Sequence, residues 1–367
     1  MKTTRQLHDL GQSLWLDNIT RTLLDDGTLA RYIAEDSITG LTSNPSIFDA
    51  AIGAGESYDK GIRQGARRGL AREELFIALA LDDLKRAAKL FRPAFDASKH
   101  MDGWVSMEVS PLLVADSEGS IAAARRIHEQ AQCDNLFVKI PGSAEGVSAI
   151  EESIFGGVPI NVTLLFSCAQ YAAVADAYMR GIERRLEAGL DPHVHSVASL
   201  FVSRWDVAAN PQLPEALHNK LGIAVARQTY GVYRDLLDSV RWKKLAAAGA
   251  APQRLLWAST GTKDKSASDT LYVEALVAPD TINTIPEKTL HAFAAHGKIG
   301  APIPMDGGDA DAVLEQIKAA GVDIDALASK LQSDGAAAFV KSWNHLLDGL
   351  ESKTARLGGA QTSKAAQ

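Results

Sequence analysis

The 367-residue chain predicts an α/β fold, a (β/α)8 TIM barrel with additional C-terminal helices. Three observations carry that prediction. Short apolar runs alternate with longer stretches of helical periodicity, the pattern of a parallel sheet. Eight such runs suit a closed barrel better than an open doubly wound sheet. No glycine-rich GxGxxG turn follows the first run, as a dinucleotide-binding open sheet would require.

In order, the expected strands are residues 14–19, 37–42, 104–109, 135–140, 159–166, 196–202, 254–260 and 277–284. Between the second and third, Ile77, Leu81, Leu84, Ala88 and Phe91 recur at helical spacing and form one apolar stripe. After the fifth, Ser167 and Gln170 stand as N-cap and N3 of a capping box. The helix that follows lines up Tyr171, Val174, Tyr178, Ile182 and Leu186. Residues 217–237 read as another helix, and Phe339, Trp343, Leu346 and Leu350 mark the apolar face of a closing one. Residues 301–308, with two Pro and two Gly, form a loop before the added C-terminal helices. The expected organisation is one domain over 1–357 and a small, polar, disordered tail over 358–367.

Apolar residues make up 46% and charged residues 23%, enough for a large core. The net charge of -7 speaks against broad nucleic-acid or anionic-membrane binding. It leaves room for a phosphorylated metabolite, which needs only a few placed donors. Cys133 and Cys168 form no CxxC or Cys/His cluster, so no disulfide framework and no metal ligand set are expected. The first residues lack the apolar core of a signal peptide, and no apolar stretch approaches the roughly 18 residues of a membrane span. The expectation is a cytoplasmic enzyme without membrane partners, monomeric or homodimeric, needing no cofactor.

In a parallel barrel the chemistry gathers where strands end. Asp17 closes Leu14-Trp15-Leu16-Asp17, and Glu108 closes Trp104-Val105-Ser106-Met107-Glu108. Asn161 and Thr163 share one face of the fifth strand, and Ser199 and Phe201 one face of the sixth. A strand-end carboxylate is often a helix N-cap or a solvated group, and a strand Asn or Thr is often a hydrogen-bonded filler. Lys139 is harder to dismiss. It sits in Leu136-Phe137-Val138-Lys139-Ile140-Pro141, although lysine is disfavoured in strands and almost never buried unpaired. The alternative is a snorkelling lysine on an edge strand. Desolvation disfavours an ammonium, and a neutral amine can form an imine with a ketone. The protonated imine then draws electrons from a neighbouring C–C bond. Such chemistry needs a base for the departing hydroxyl's proton, which suits Asp17. It also needs proton shuttling through water, which suits Glu108 and Thr163.

These segments resemble the transaldolases, in particular the longer bacterial type. The likeness rests on Gln12-Ser13-Leu14-Trp15-Leu16-Asp17-Asn18, Gly40-Leu41-Thr42-Ser43-Asn44-Pro45, Val105-Ser106-Met107-Glu108-Val109, Phe137-Val138-Lys139-Ile140-Pro141, Asn161-Val162-Thr163-Leu164-Leu165-Phe166-Ser167 and Ser199-Leu200-Phe201-Val202-Ser203-Arg204. The resemblance implies a Schiff-base (β/α)8 barrel of the pentose phosphate pathway, acting on sugar phosphates. Such an enzyme moves a dihydroxyacetone unit from sedoheptulose 7-phosphate to glyceraldehyde 3-phosphate. By motif position, Lys139 matches the imine lysine and Asp17 the acid/base at the C4 hydroxyl. Glu108 and Thr163 match the pair that positions the catalytic water. Asn44, Asn161 and Ser199 match groups that hold the dihydroxyacetone hydroxyls, and Arg204 matches a phosphate ligand.

One place departs from the pattern. Many transaldolases end the seventh strand in Ala-Ser-Phe-Arg, whose arginine is a second phosphate ligand. This chain has Trp257-Ala258-Ser259-Thr260-Gly261-Thr262-Lys263, so Ser259 and Lys263 are the expected substitutes. Two other functions remain open: an aldolase that releases free dihydroxyacetone, and a non-catalytic sugar-phosphate binder. Phe201 favours transfer, because aldolase relatives can carry there a tyrosine that binds the releasing water. The complete set Asp17, Glu108, Lys139 and Thr163 speaks against a decayed site.

Overall fold

The computed structural model describes residues 2–364, with side chains through 358. Eight parallel strands close into a barrel in sequence order: β1 (Ser13–Leu16), β2 (Ile38–Leu41), β3 (Val105–Glu108), β4 (Leu136–Pro141), β5 (Ile160–Leu165), β6 (Ser196–Phe201), β7 (Gln253–Ala258) and β8 (Ile282–Ile285). Nearly every strand residue is buried, as the two covered faces of a parallel barrel demand. The barrel's lower interior is aromatic. Trp104 stacks on Phe137 with centroids 4.0 Å apart, and Trp15 lies 6.2 Å from Phe137. Gly40 makes this possible, because a Cβ there would fall 2.7 Å from both the Trp15 indole and the Trp104 carbonyl.

The expected elements are present, with shifts that have local causes. The stripe from Ile77 to Phe91 is buried along the helix Arg72–Ala97. β8 begins later than expected because Pro279, which has no N–H, precedes Asp280 in the left-handed region at φ 61°. The helix expected from residue 217 begins at Leu221. A 3-10 turn (Glu215–Leu217) ends first, and Asn219, at φ 59°, is held by its N–H donating to Asn210 Oδ1 at 3.0 Å. Ser167 caps its helix by accepting from the Gln170 N–H at 3.2 Å. Gln170 returns not to Ser167 but to the Phe166 N–H, at 2.7 Å.

The helix Ile324–Lys364 crosses the C-terminal mouth of the barrel. It packs on the helices Pro45–Gly53, Asp59–Arg67 and Arg72–Ala97, on β5, and on the short helix Ser203–Ala209. Phe339, Trp343, Leu346 and Leu350 are buried, and Trp343 meets Phe76 edge-on at 5.1 Å. Lys353 pins the far end by donating to the carbonyls of Ile52 and Gly55 at 3.0 and 2.7 Å beside Asp59. The expected loose tail from 358 onward falls almost wholly outside the described side chains. Among the described residues no helix is long and apolar enough to cross a membrane.

Candidate active site

Strand register assembles the site. β4 sets Lys139 opposite Glu108 of β3 on one side and Asn161 of β5 on the other. Lys139 is 5% exposed, which rules out a snorkelling edge-strand lysine. Its Nζ donates to the Ser43 carbonyl at 3.0 Å and stands 3.6 Å from Glu108 Oε2.

Asp17 follows β1 and is half-buried. It does not cap a helix, since Thr20 caps Arg21–Asp25. Its Oδ1 accepts from the Thr42 hydroxyl at 2.9 Å. Thr42 has one proton to give, so the Thr284 hydroxyl, 2.5 Å away, donates to Thr42. Burial pushes the Asp17 carboxyl above the ordinary carboxylate range, opposed chiefly by the Lys139 charge, then by Thr42 and Lys263. Burial likewise raises Glu108. Lys139 opposes that rise most, Asp17 adds to it, and Arg204 opposes it weakly.

Asn161 is oriented from both sides. Its Nδ2 donates to Ser106 Oγ at 3.1 Å, and its Oδ1 accepts from Ser199 Oγ at 2.7 Å. Thr163 lies across from Pro141 in the register. Among the described residues, the Thr163 hydroxyl and both Glu108 carboxylate oxygens are buried without a hydrogen-bond partner. Unpaired buried acceptors are costly, and such groups gather where a small molecule is handled.

Arg204 leaves β6 and lies 5.1 Å over the Phe201 ring and 5.9 Å from Phe339. Among the described residues it forms no ion pair or hydrogen bond. Burial lowers its guanidinium from the ordinary value, with Glu108 opposing. A half-buried, unpaired guanidinium is suited to an anion.

Three expected residues make no hydrogen bond to this core among the described residues. Asn44 is a helix N-cap, its Oδ1 accepting from the Ile47 N–H at 3.1 Å with Pro45 next in the helix. Ser259, at φ 57°, shares a 2.9 Å hydrogen bond with Ser203. Lys263 is exposed on the loop after β7, within electrostatic reach of Asp17. Thr42, Ser43, Ser106 and Thr284 also belong to the site, with nothing in the sequence to single them out. Each is a small polar residue in or just beyond a strand, and partner distances alone distinguish them from fillers.

A closed parallel barrel with a buried lysine and two carboxylates at its C-terminal mouth defines a (β/α)8-barrel enzyme. A model of the transaldolase/fructose-6-phosphate aldolase family matches residues 14–350. A transaldolase of Parafrankia sp. (strain EAN1pec) is 44% identical over 356 residues, covering 95% of this chain and 96% of that protein. Transaldolases of Arthrobacter sp. (strain FB24) and Thiobacillus denitrificans are 43% and 42% identical, each over 95% of this chain and over 96% and 99% of their own lengths. The chain belongs to the transaldolase/fructose-6-phosphate aldolase family. It is an enzyme that transfers aldehyde or ketone residues.

Proposed function

We propose that this chain carries a dihydroxyacetone unit between sugar phosphates as an imine on Lys139. In this reading the Lys139 amine adds to the ketose C2 carbonyl, and the carbinolamine loses water to give the imine. Glu108, with Thr163, holds the water that relays protons in that step. Asp17 takes the proton of the C4 hydroxyl as the C3–C4 bond breaks and the aldehyde leaves. The enamine stays on Lys139 until an acceptor aldehyde takes the three-carbon unit by the reverse path. Asn161 and Ser199 hold the donor's hydroxyls, with the amide of Asn44 free to join them. Arg204 takes the phosphate, with Lys263 and Ser259 at the same end. The substrates are sedoheptulose 7-phosphate and glyceraldehyde 3-phosphate, or in reverse fructose 6-phosphate and erythrose 4-phosphate. In this reading the enzyme works in the non-oxidative pentose phosphate pathway, and we assign it to the cytoplasm.

One observation carries the mechanism: a buried lysine 3.6 Å from a carboxylate whose two oxygens have no hydrogen-bond partner among the described residues. Borohydride added with fructose 6-phosphate should fix a three-carbon adduct on the peptide containing Lys139, and Lys139→Ala should abolish it. An adduct on any other peptide sinks the reading. Transfer, rather than release, is favoured by the Phe201 ring, which has no hydroxyl to hold a releasing water. Without an acceptor aldehyde, turnover of fructose 6-phosphate should all but stop, because the enamine has nothing to take the three-carbon unit. Free dihydroxyacetone appearing as fast as transfer would make the enzyme an aldolase.

A further inference from the structure

At the opposite, N-terminal end of the barrel, three histidines converge. His100 lies on the turn between the helix Arg72–Ala97 and β3, and His193 and His195 lie on the segment entering β6. One ring nitrogen from each lies within 4.8 Å of the other two. The Nε2 atoms of His193 and His195 are 3.0 Å apart. Two imidazoles on tetrahedral zinc, with Zn–N near 2.0–2.1 Å, hold their nitrogens about 3.4 Å apart. With every pair within 4.8 Å, the widest separation exceeds that by at most about 1.4 Å.

The rings are held from behind. His193 Nδ1 lies 3.3 Å from the Gly249 carbonyl, and donating there leaves Nε2 with its lone pair toward the cluster. His100 stacks on Phe95 at 4.2 Å, and its own carbonyl accepts from Trp104 Nε1 at 2.8 Å. Lys99 and His100 both have positive φ, at 53° and 71°, a costly conformation held here by the His100 N–H bond to Phe95 O at 2.8 Å. The charge of Arg254 reaches His195. The guanidinium turns away to the carbonyls of Met101 and Thr281 and to Ser13, which also binds Asp102.

We propose that His100, His193 and His195 bind one divalent transition cation of the zinc class. The fourth coordination position faces solvent beside the exposed His193. Such an ion links the entries of β3 and β6 across the barrel floor, far from the mouth, and stabilises the fold without entering the reaction. Spacing along the chain hides the set, because His100 is remote from the His193–His195 pair.

The full-length protein, stripped with a chelator, should take up one equivalent of Zn2+ by calorimetry. Co2+ should give the visible absorption of an imidazole-bound ion, and Zn2+ should raise Tm. His193→Ala, an exposed change, should weaken binding by more than the about 10–100-fold that loss of an outer-shell partner costs. It should also remove the Tm rise. His100→Ala should do the same. Absence of saturable binding, or equal affinity in wild type and His193→Ala, would overturn the proposal.

Discussion

At the scale of single residues, the carboxylates around Lys139 differ in what holds them. Asp17 has a hydroxyl donor and Glu108 has none, yet burial raises both. The base forms needed for turnover therefore appear only above the ordinary carboxylate range. The acid limb of the kcat profile should lie correspondingly high, and Glu108→Gln should move it while lowering kcat by about 10²–10⁴-fold. An unmoved limb would assign it to another group. Asp17→Asn should leave borohydride trapping intact and slow C–C cleavage; equal loss of both would contradict its role.

Asp206 offers a separate test. It is buried, accepts from Tyr272 at 2.8 Å and from the Gly222 N–H at 3.2 Å, and has its pKa raised to about 6, chiefly by burial. A raised folded-state pKa stabilises fully below the unfolded value, and that contribution is lost as pH rises through about 6. Asp206→Asn should thus melt like the wild type near about pH 4. At about pH 8 it should be more stable, by up to about 3 kcal/mol, the equivalent of roughly two pKa units. A gap that ignores pH would place the ionisation elsewhere.

Among the elements, the crossing helix Ile324–Lys364 does most to shape the mouth. A Cβ at Gly335 would stand 2.9 Å from Arg204 Nη1 and 3.0 Å from Leu164 Cδ2. Gly335 thus lets the helix pass over the guanidinium. Gly335→Ala should add about 0.5–1 kcal/mol of helix propensity yet raise KM for phosphorylated substrates several-fold as Arg204 is displaced. Loss of kcat alone would argue that Arg204 does not bind phosphate. How much was legible beforehand also differs element by element. The strands could be read because burial on both faces makes each a continuous apolar run, and Lys139, Asp17 and Glu108 stood out against those runs. The late start of β8 could not, since Val277 and Ala278 look like strand until the Asp280 turn is seen. Nor could the role of Ser43, which meets Lys139 through its carbonyl, a group every residue has. Asn44 has a side-chain oxygen that serves a helix N–H, a contact invisible to motif matching.

Taken whole, the molecule separates its two ends. Reactive groups gather at the mouth, and the floor is closed by aromatic rings and a hydrogen-bonded polar network. Asp102 accepts from Trp15 Nε1 at 2.7 Å and from Ser13 Oγ at 2.5 Å, and Ser13 in turn accepts from Arg254 at 2.9 Å. Asp102→Ala strands these donors and should cost about 2–5 kcal/mol in denaturant melts. It should leave kcat per folded molecule unchanged, because nothing in the network reaches Lys139. A matching fall in kcat would mean the two ends are coupled.

The bulge in β5 has a consequence for how the chain reaches this state. Leu164, at φ 60°, breaks the register between Val162 and Leu165, and Gln332 of the crossing helix donates to its carbonyl at 3.0 Å and to that of Gly142 at 2.9 Å. A fifth strand paired one residue out of step would not present those two carbonyls together. Docking of the helix therefore selects the correctly threaded barrel. The contacts it makes are among the most distant along the chain, such as Ser46 to Ser342, and closing so long a loop costs entropy before the contact repays it. In refolding, burial of Trp343 should lag behind strand formation and coincide with the return of activity. That order would make the helix a checkpoint for the folding chain.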